Sequence, residues 1–473
     1  MLKVGEFCSR YIYINDLIQK TNKDLFEILQ TNMNSGSEMA VDNDSSQIPI
    51  RLEGKYSAIL ICWILGLGSL ISWNSLASIE DYYYYVFPDY HPSRVLSLVY
   101  QPFAFGTMAF LAYNESKIDT RKRNILGYFM FFLGTLALLS LDLVTSGKGS
   151  IGSYVGICLI VAAFGAADAL IQGGMLGDLA LMCPEFIQSF LAGMAASGAL
   201  TSALRLLTEA VFSNIDGGLR KGALLFLLIS IFFEFLCIFH YAFVFTKLPI
   251  VKHYRRKAAL EGSKTVSSDL SAAGIQSELT QRLVDRDSSN LDRLSNKELL
   301  YQNFDYALDL FLIFVLTLSV FPGFLYENTG KHQLGSWYPL VLVATYNFGD
   351  LISRYIPLIP RLKLQSRRGL LVLVLSRFLL IPAFYFTAKY GDQGWMIMLV
   401  AILGLTNGYF AVCVLMTAPQ GYKGPEQNAL GNLLVFFLLG GIFLGAALDW
   451  LWLIGNESFL TKINTKMITV TIL

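Results

Sequence analysis

Two stretches of the chain hold polar side chains at spacings that could grip a small polar solute, inside sequence otherwise apolar enough to be buried in lipid. In Thr345-Tyr346-Asn347-Phe348-Gly349-Asp350-Leu351-Ile352-Ser353-Arg354, the residues Asn347, Asp350 and Arg354 fall at i, i+3 and i+7. A helix therefore puts all three on one face. The run around them, from about Trp337 to Ile356, is long enough to cross a hydrocarbon core of about 30 Å at about 1.5 Å per residue. An ionised side chain at mid-membrane costs roughly 2.5 to 3.5 kcal/mol on insertion scales, so this face must turn to other helices or to a wet cavity. Two readings follow: an Asp350–Arg354 ion pair at i, i+4 that locks helices together, or a polar ligand site.

The second stretch is Phe164-Gly165-Ala166-Ala167-Asp168-Ala169-Leu170-Ile171-Gln172-Gly173-Gly174-Met175-Leu176-Gly177-Asp178. Asp168 and Gln172 lie one turn apart on one face, and the small residues around them let a neighbouring helix or a ligand approach the backbone. Gln172 offers both a donor and an acceptor. The structural alternative is a packing seam with Asp168 salt-bridged to another helix, Arg205 or Arg354 being the partners at hand. Arg205 and Glu209, four apart, read as a local ion pair. Glu234 and His240, and Asp305 and Asp309, read as interfacial or packing groups, while Arg377 with Pro382 and Asn407-Gly408 read as shaping their helices.

The elements that must position these residues are membrane spans. Of 473 residues, 54% are hydrophobic and only 15% charged, and the mean hydropathy is +0.51. Too few polar residues exist to clothe a soluble domain of this size. Apolar runs at about 57–79, 95–113, 125–145, 153–181, 187–212 and 222–246, then 304–325, 337–358, 369–388, 394–417 and 429–453, predict an all-α polytopic membrane protein of eleven transmembrane helices in a six-plus-five split. The corresponding division is a polar N-terminal tail over 1–54, a six-helix bundle over 55–246, a solvated, disordered linker over 247–303, a five-helix bundle over 304–455 and a tail over 456–473. The stretch 1–54 lacks the basic start and apolar core of a cleaved signal peptide. Asp81-Tyr82-Tyr83-Tyr84-Tyr85 reads as an aromatic belt where the first span leaves the bilayer.

Lysine and arginine set the orientation. Lys117, Arg121, Lys122, Arg123, the basic start of the linker (Lys252 to Lys257), Arg361, Lys363, Arg367, Arg368 and Lys423 fall on one side; the other holds a thinner set. The N-terminus and linker are thus expected in the cytosol and the C-terminus outside.

Several functions are excluded or unsupported. A net charge of +1 gives nucleic acid no electrostatic footing. No Gly-rich phosphate loop with Lys, no GxSxG and no HExxH occurs, so neither a nucleotide-driven pump nor a hydrolase is indicated, and the chain reads as a non-enzyme. Six scattered cysteines and four histidines predict no metal site and no cofactor, only buried thiols.

Taken together, the residues resemble the equilibrative nucleoside transporter family, and more particularly its plant branch, over roughly 55–452. The resemblance rests on Trp73-Asn74, Asp168 through Gly174, Arg205-Leu206-Leu207-Thr208, and Asn347-Phe348-Gly349-Asp350-Leu351-Ile352-Ser353-Arg354. Arg377 through Pro382, Asn407-Gly408-Tyr409 and Pro425-Glu426 add weaker agreement. It implies an eleven-helix relative of the major facilitator architecture, whose two halves rock about a central site, and a substrate that is a purine or pyrimidine nucleoside. Carried over, Gln172 would hydrogen-bond the base, Asp350 and Arg354 would hold the ribose hydroxyls, Trp73 would form an aromatic wall and Asn347 would support Asp350. Arg205, Arg377 and Asn407 take structural or gating roles. The resemblance further implies a monomer in the lipid bilayer of the plasma membrane, the vacuolar membrane being the alternative.

Three positions depart from well-known animal members: Asp168 replaces a Gly, Gly174 a Ser and Val343 a Phe. The plant branch includes proton-linked carriers, and Asp168 is the candidate coupling carboxylate, since an acid in a dry cavity can take a proton on one side and release it on the other. Two competitors remain: a facilitator-type carrier of another small polar solute, and a receptor or scaffold using the linker for partners.

Overall fold

In the computed structural model the described residues are 54–453, apart from 89, 91, 213, 214, 216, 261–293, 328–332, 336 and 391. The expected N-terminal tail, most of the linker and the C-terminal tail lie outside them. The described chain is helical throughout. Helices α1 (Lys55–Ser78), α2 (Pro92–Tyr113), α3 (Thr120–Thr145), α4 (Ile151–Ala180), α5 (Pro184–Phe212) and α6 (Gly218–Phe239) form the first set. Helices α7 (Phe304–Leu318), α8 (Trp337–Ser353), α9 (Arg367–Ser376, resuming as Leu380–Tyr390 after a 3-10 turn), α10 (Gln393–Thr417) and α11 (Gly424–Asp449) form the second.

Ten segments among the described residues are long and apolar enough to cross a membrane. Helix α8, at 17 residues, completes the expected eleven but is shorter than the 337–358 anticipated. The chain leaves the helix after Ser353 and passes through 3-10 turns at Ile356–Leu358 and Pro360–Leu362. Pro357 and Pro360 lack the amide a continuing helix needs.

Helix starts follow their capping residues. The Asp119 side chain accepts the amides of Arg121 and Lys122. Ser150 and Ser153 form a reciprocal capping box, and Asp392 accepts from Gly394 and Trp395. Each satisfies amides that a helix start leaves without intrahelical partners.

Packing between helices is tightest where glycine removes the side chain. A Cβ on Gly66 would lie 2.0 Å from the Phe190 carbonyl oxygen, and one on Gly193 would lie 2.0 Å from that of Trp63. Helices α1 and α5 are thus in reciprocal backbone contact. Gly404 and Gly408 do the same for α10 against α8, each with a virtual Cβ 2.4 Å from a carbonyl oxygen, those of Tyr346 and Asp350. Such close approach suits helix pairs in lipid, where packing rather than hydrophobic exclusion drives association.

One expectation is corrected. The start of the 247–303 stretch is not a solvated, disordered linker: Pro249–Leu260 is a helix, as is Asn296–Gln302 near its end. The first carries Ile250, Val251, Arg255 and Ala258 on a buried face, and Arg255 forms an ion pair with Asp178 at the end of α4. The hydrophobic residues interleaved with the basic run, rather than its charge, decide the structure. Residues 261–293 lie outside the described residues.

Candidate functional site

A cavity of about 160 Å³ lies between the two helix sets, toward the end where α1, α7 and α11 finish. Trp73, Asn74, Ala77 and Ser78 of α1 face it, with Ser97, Leu98 and Gln101 of α2, Thr201 of α5, Leu318 at the end of α7 and Phe321 just past it, Val343 and Asn347 of α8, and Phe443, Ala446, Ala447 and Asp449 of α11. Pro102, inside α2, leaves the carbonyl one turn earlier, at cavity-lining Leu98, without its helical donor. Gln101 beside it has a buried side-chain oxygen with no hydrogen-bond partner.

Of the residues expected at a site, Trp73 and Asn347 line this cavity; Gln172, Asp350 and Arg354 do not. Those three are 2%, 5% and 7% exposed and sit behind the wall. The Trp73 ring packs on Tyr100 at 4.0 Å between centroids, and the Tyr100 phenol lies beside Asp168. Asp168 accepts a hydrogen bond from Gln172 Nε2 at 2.6 Å. Gln172 Oε1 is buried with no partner, an acceptor held open at real cost unless something else donates to it. None of the ion pairs among the described residues includes Asp168, so the expected alternative of a salt bridge to Arg205 or Arg354 is not what forms. Arg205 instead pairs with Glu209 at 3.0 Å, as its spacing predicts, and with Asp81.

At the end of α8 the Asp350–Arg354 pair forms at 2.8 Å, with both side chains under 10% exposed. The expectation that Asn347 supports Asp350 is corrected: Asn347 donates to Ser202 of α5 at 2.8 Å, and Asn407 of α10 donates to Asp350 Oδ1 at 2.7 Å. The glycines on either side of Asn407, at 404 and 408, bring α10 close enough for that bond. Asn347, one turn up the helix, faces α5. From Asn407 a chain of bonds continues: Thr317 lies 2.8 Å from the Asn407 side-chain oxygen, and Arg377 Nη2 donates to Thr317 at 3.0 Å. Arg377 also donates to Thr406 at 3.0 Å and to the Ile313 carbonyl at 3.2 Å. Each of these side chains has hydrogen-bond partners, which buried polar groups require.

Away from the cavity, the two sets are joined by polar contacts at the opposite end. Arg123 donates to Asn432 at 2.7 Å and to the carbonyls of Leu170 and Ala169. Asn428 donates to Glu115 at 3.1 Å, Trp63 to Tyr355 at 3.0 Å, and Gln188 to the Arg354 carbonyl at 3.1 Å. Arg354 itself donates to the Leu191 carbonyl. The cavity is therefore closed at one end by a layer of satisfied hydrogen bonds and tight glycine contacts, Gly177 against Gly431 among them.

Tyr100, Gln101 and Thr201 escaped the sequence reading. Gln101 was visible in principle as a lone amide within an apolar run, next to a proline. Tyr100 and Thr201 carry no such signal.

A family model described as "Nucleoside transporter" matches residues 157–454. Among curated proteins, equilibrative nucleotide transporter 3 of Arabidopsis thaliana is 66% identical over 417 residues, covering 88% of this chain and 99% of that protein. Equilibrative nucleotide transporter 6 of the same plant is 64% identical, covering 87% and 98%. Among solved structures, the major facilitator superfamily proton:xylose symporter XylE is similar in fold, with a TM-score of 0.58 at 12% identity over 85% of this chain and 89% of that one.

Proposed function

This chain belongs to the equilibrative nucleoside transporter family, plant branch, and from that premise we propose that it carries purine and pyrimidine nucleosides by alternating access through the cavity between its two helix sets. The observation that carries the reading is the cavity itself, walled by Trp73 and Asn347 and sealed at one end by contacts between the sets. By the distribution of Lys and Arg, the sealed end faces the cytosol, so the cavity opens outward. Trp73 stacks on the base and the unpartnered oxygen of Gln101 accepts from it, while Gln172, behind the wall, accepts from it only once the solute has moved deeper. Asp350, one turn below Asn347 on α8, and Arg354, just past the end of that helix, hold the ribose hydroxyls once the solute has descended and parted their mutual ion pair.

The family model names nucleosides, while the relatives' names speak of nucleotides. The cavity favours the former. Its described lining holds Glu80 and Asp449 and no Lys, Arg or His. A phosphate would meet like charge and no counter-charge, whereas an uncharged nucleoside needs only stacking and hydrogen bonds.

Asp168 is the coupling carboxylate in this reading: buried, without a cation, and separated from the cavity by Tyr100 and Trp73. In this reading the protein works as a monomer in the plasma membrane, on the strength of its family alone.

The test is uptake of labelled adenosine, uridine and AMP in a transport-deficient yeast, at acidic and neutral pH, with and without an uncoupler. Saturable nucleoside uptake without AMP uptake is expected. AMP taken up as well as adenosine, or no nucleoside flux at all, overturns the reading. Asp168→Asn should abolish acid stimulation while leaving nucleoside exchange intact; acid stimulation that persists in this variant removes Asp168 from the coupling role.

A further inference from the structure

Asp309 on α7 is a buried carboxyl group that none of the functional reading uses. It is 0% exposed, and neither of its side-chain oxygens has a hydrogen-bond partner. The other carboxylates buried in the two sets are supported. Asp350 has Arg354 and Asn407, Asp178 has Arg255, Asp168 has Gln172, and Glu234 accepts from Ser72 at 2.9 Å. Among the described residues Asp309 is the acid with both oxygens empty.

Among the described residues, the charged and titratable groups around it are bonded to other partners, uncharged or exposed. On α7, Asp305 lies one turn before it and is 3.5 Å from Arg367 of α9; that guanidinium also covers the Tyr306 ring. Tyr409 of α10 donates to the Leu362 carbonyl, and Cys413 of α10 is a buried thiol. On α11, Glu426 accepts the amides of Leu294 and Lys423, and Asp449 accepts that of Phe324. Lys297 and Glu298, on the short helix before α7, are exposed. Arg368 of α9 is exposed, and the buried cation on this side among the described residues is Arg377 of α9, whose bonds run to Thr406, Thr317 and the carbonyls of Ile313 and Leu403, all neutral.

Asp309, Ile313 and Thr317 follow at four-residue intervals, so they share one face of α7, and Arg377 grips that face one and two turns above Asp309. A bare ionised carboxylate with no donor and no counter-charge is the least tolerable state of a buried acid, while the protonated form loses far less.

We propose that Asp309 is a proton-binding site of the second helix set, occupied in the conformation seen here and emptied when the sealed end opens. It rests on the proposed coupling of transport to protons. Asp309 is five residues into α7, roughly 8 Å along the axis, so opening that end brings water to it. The proton then leaves the carboxyl oxygen for that water. The carboxylate left behind draws Arg377 down its face, away from Thr317. Thr317 holds Asn407, and Asn407 holds Asp350, so release of the proton reaches the groups proposed to hold the ribose.

The test uses the full chain in proteoliposomes with a two-unit inward proton gradient. The wild type is expected to accumulate adenosine toward a limit of about 100-fold for one proton per solute; Asp309→Asn, the shape of the protonated acid, should bring the ratio to about 1 while adenosine counterflow persists. Accumulation retained in the variant overturns the proposal. Infrared spectra at neutral pH give a readout independent of transport: the protonated-carboxyl band should lose one component in Asp309→Asn. An unchanged band means an ionised Asp309 and overturns the assignment, as does a variant that fails to fold, since amide for acid is then not isosteric. If the wild type does not accumulate adenosine, the coupling reading fails and Asp309's role in transport falls with it, while the infrared band still decides whether the site holds a proton.

Discussion

The ion pair between Arg255 and Asp178 ties the helix Pro249–Leu260 to the sealed end of the bundle, and its loss can be worked through. The two side chains are 6% and 1% exposed, so water screens them little. Removing one partner of such a buried pair costs about 3 to 5 kcal/mol, because the other charge is left uncompensated. In Arg255→Ala the stranded Asp178 recovers its hydration only if the helix lifts away, so the loss should appear as undocking. At about 1.4 kcal/mol per tenfold, even the lower figure moves the docked–undocked ratio by roughly a hundredfold.

Cys183 reports on it directly. Its Sγ lies 3.0 Å from the Tyr254 hydroxyl on the same helix, and burial pushes its thiol above its ordinary pKa. The docked thiol should therefore react slowly with maleimide, faster as pH rises, since the thiolate is the nucleophile. In a background with Cys8 and Cys158 replaced by Ser, Arg255→Ala should speed the labelling of Cys183 by tenfold or more. The double variant Arg255→Leu with Asp178→Leu should return most of the slow labelling, because it leaves no charge stranded. Equal rates in wild type and Arg255→Ala would refute the reasoning.

Other outcomes are checked more simply. Asp350→Asn removes the charged acceptor beside Arg354, and competition by 2′,3′-dideoxyadenosine against adenosine should become about equal, where the wild type prefers the ribose by about 10- to 100-fold, the range for a lost charged hydrogen bond. Gly193→Val drives a side chain into the Trp63 carbonyl and should abolish folded protein on size exclusion, while Gly152→Val, where a Cβ meets nothing within 4 Å, should be silent. Glu80→Gln with Asp449→Asn should increase inhibition of adenosine uptake by AMP at low salt, an effect that fades as ionic strength rises.

The spans were legible because each is a long apolar run, and a helix is the conformation that satisfies its own backbone in lipid. The pairing of Asp350 with Arg354 was legible for a similar reason: both charges lie on one element, four residues apart. Where reading failed, the partner came from a distant helix. Asn407 reaches Asp350 across 57 residues of chain, and no pattern on α8 announces that α10 carries glycines on both sides of that asparagine. The basic run at 252–257 looked solvated because charge dominated its composition; the few apolar residues that dock it are spaced for one helix face. Asp305 and Asp309 looked alike in sequence, yet one is paired with Arg367 near the helix start and the other is sealed inside, a distinction set by how α9 and α11 cover α7.

The brevity of α8 has a consequence for the lipid around it. Seventeen residues give about 25 Å of helix against about 30 Å of hydrocarbon, and the shortfall lies where the chain runs through Tyr355 to Lys363. That segment exposes Tyr355, Leu358, Ile359 and Leu362, while the Arg354 carbonyl just before it and its own Leu362 carbonyl are taken by Gln188 and Tyr409. Irregular backbone is thus shielded on its inner side while greasy side chains face outward. The leaflet beside α8 must pinch inward to meet them, so thicker bilayers should strain this corner of the protein first.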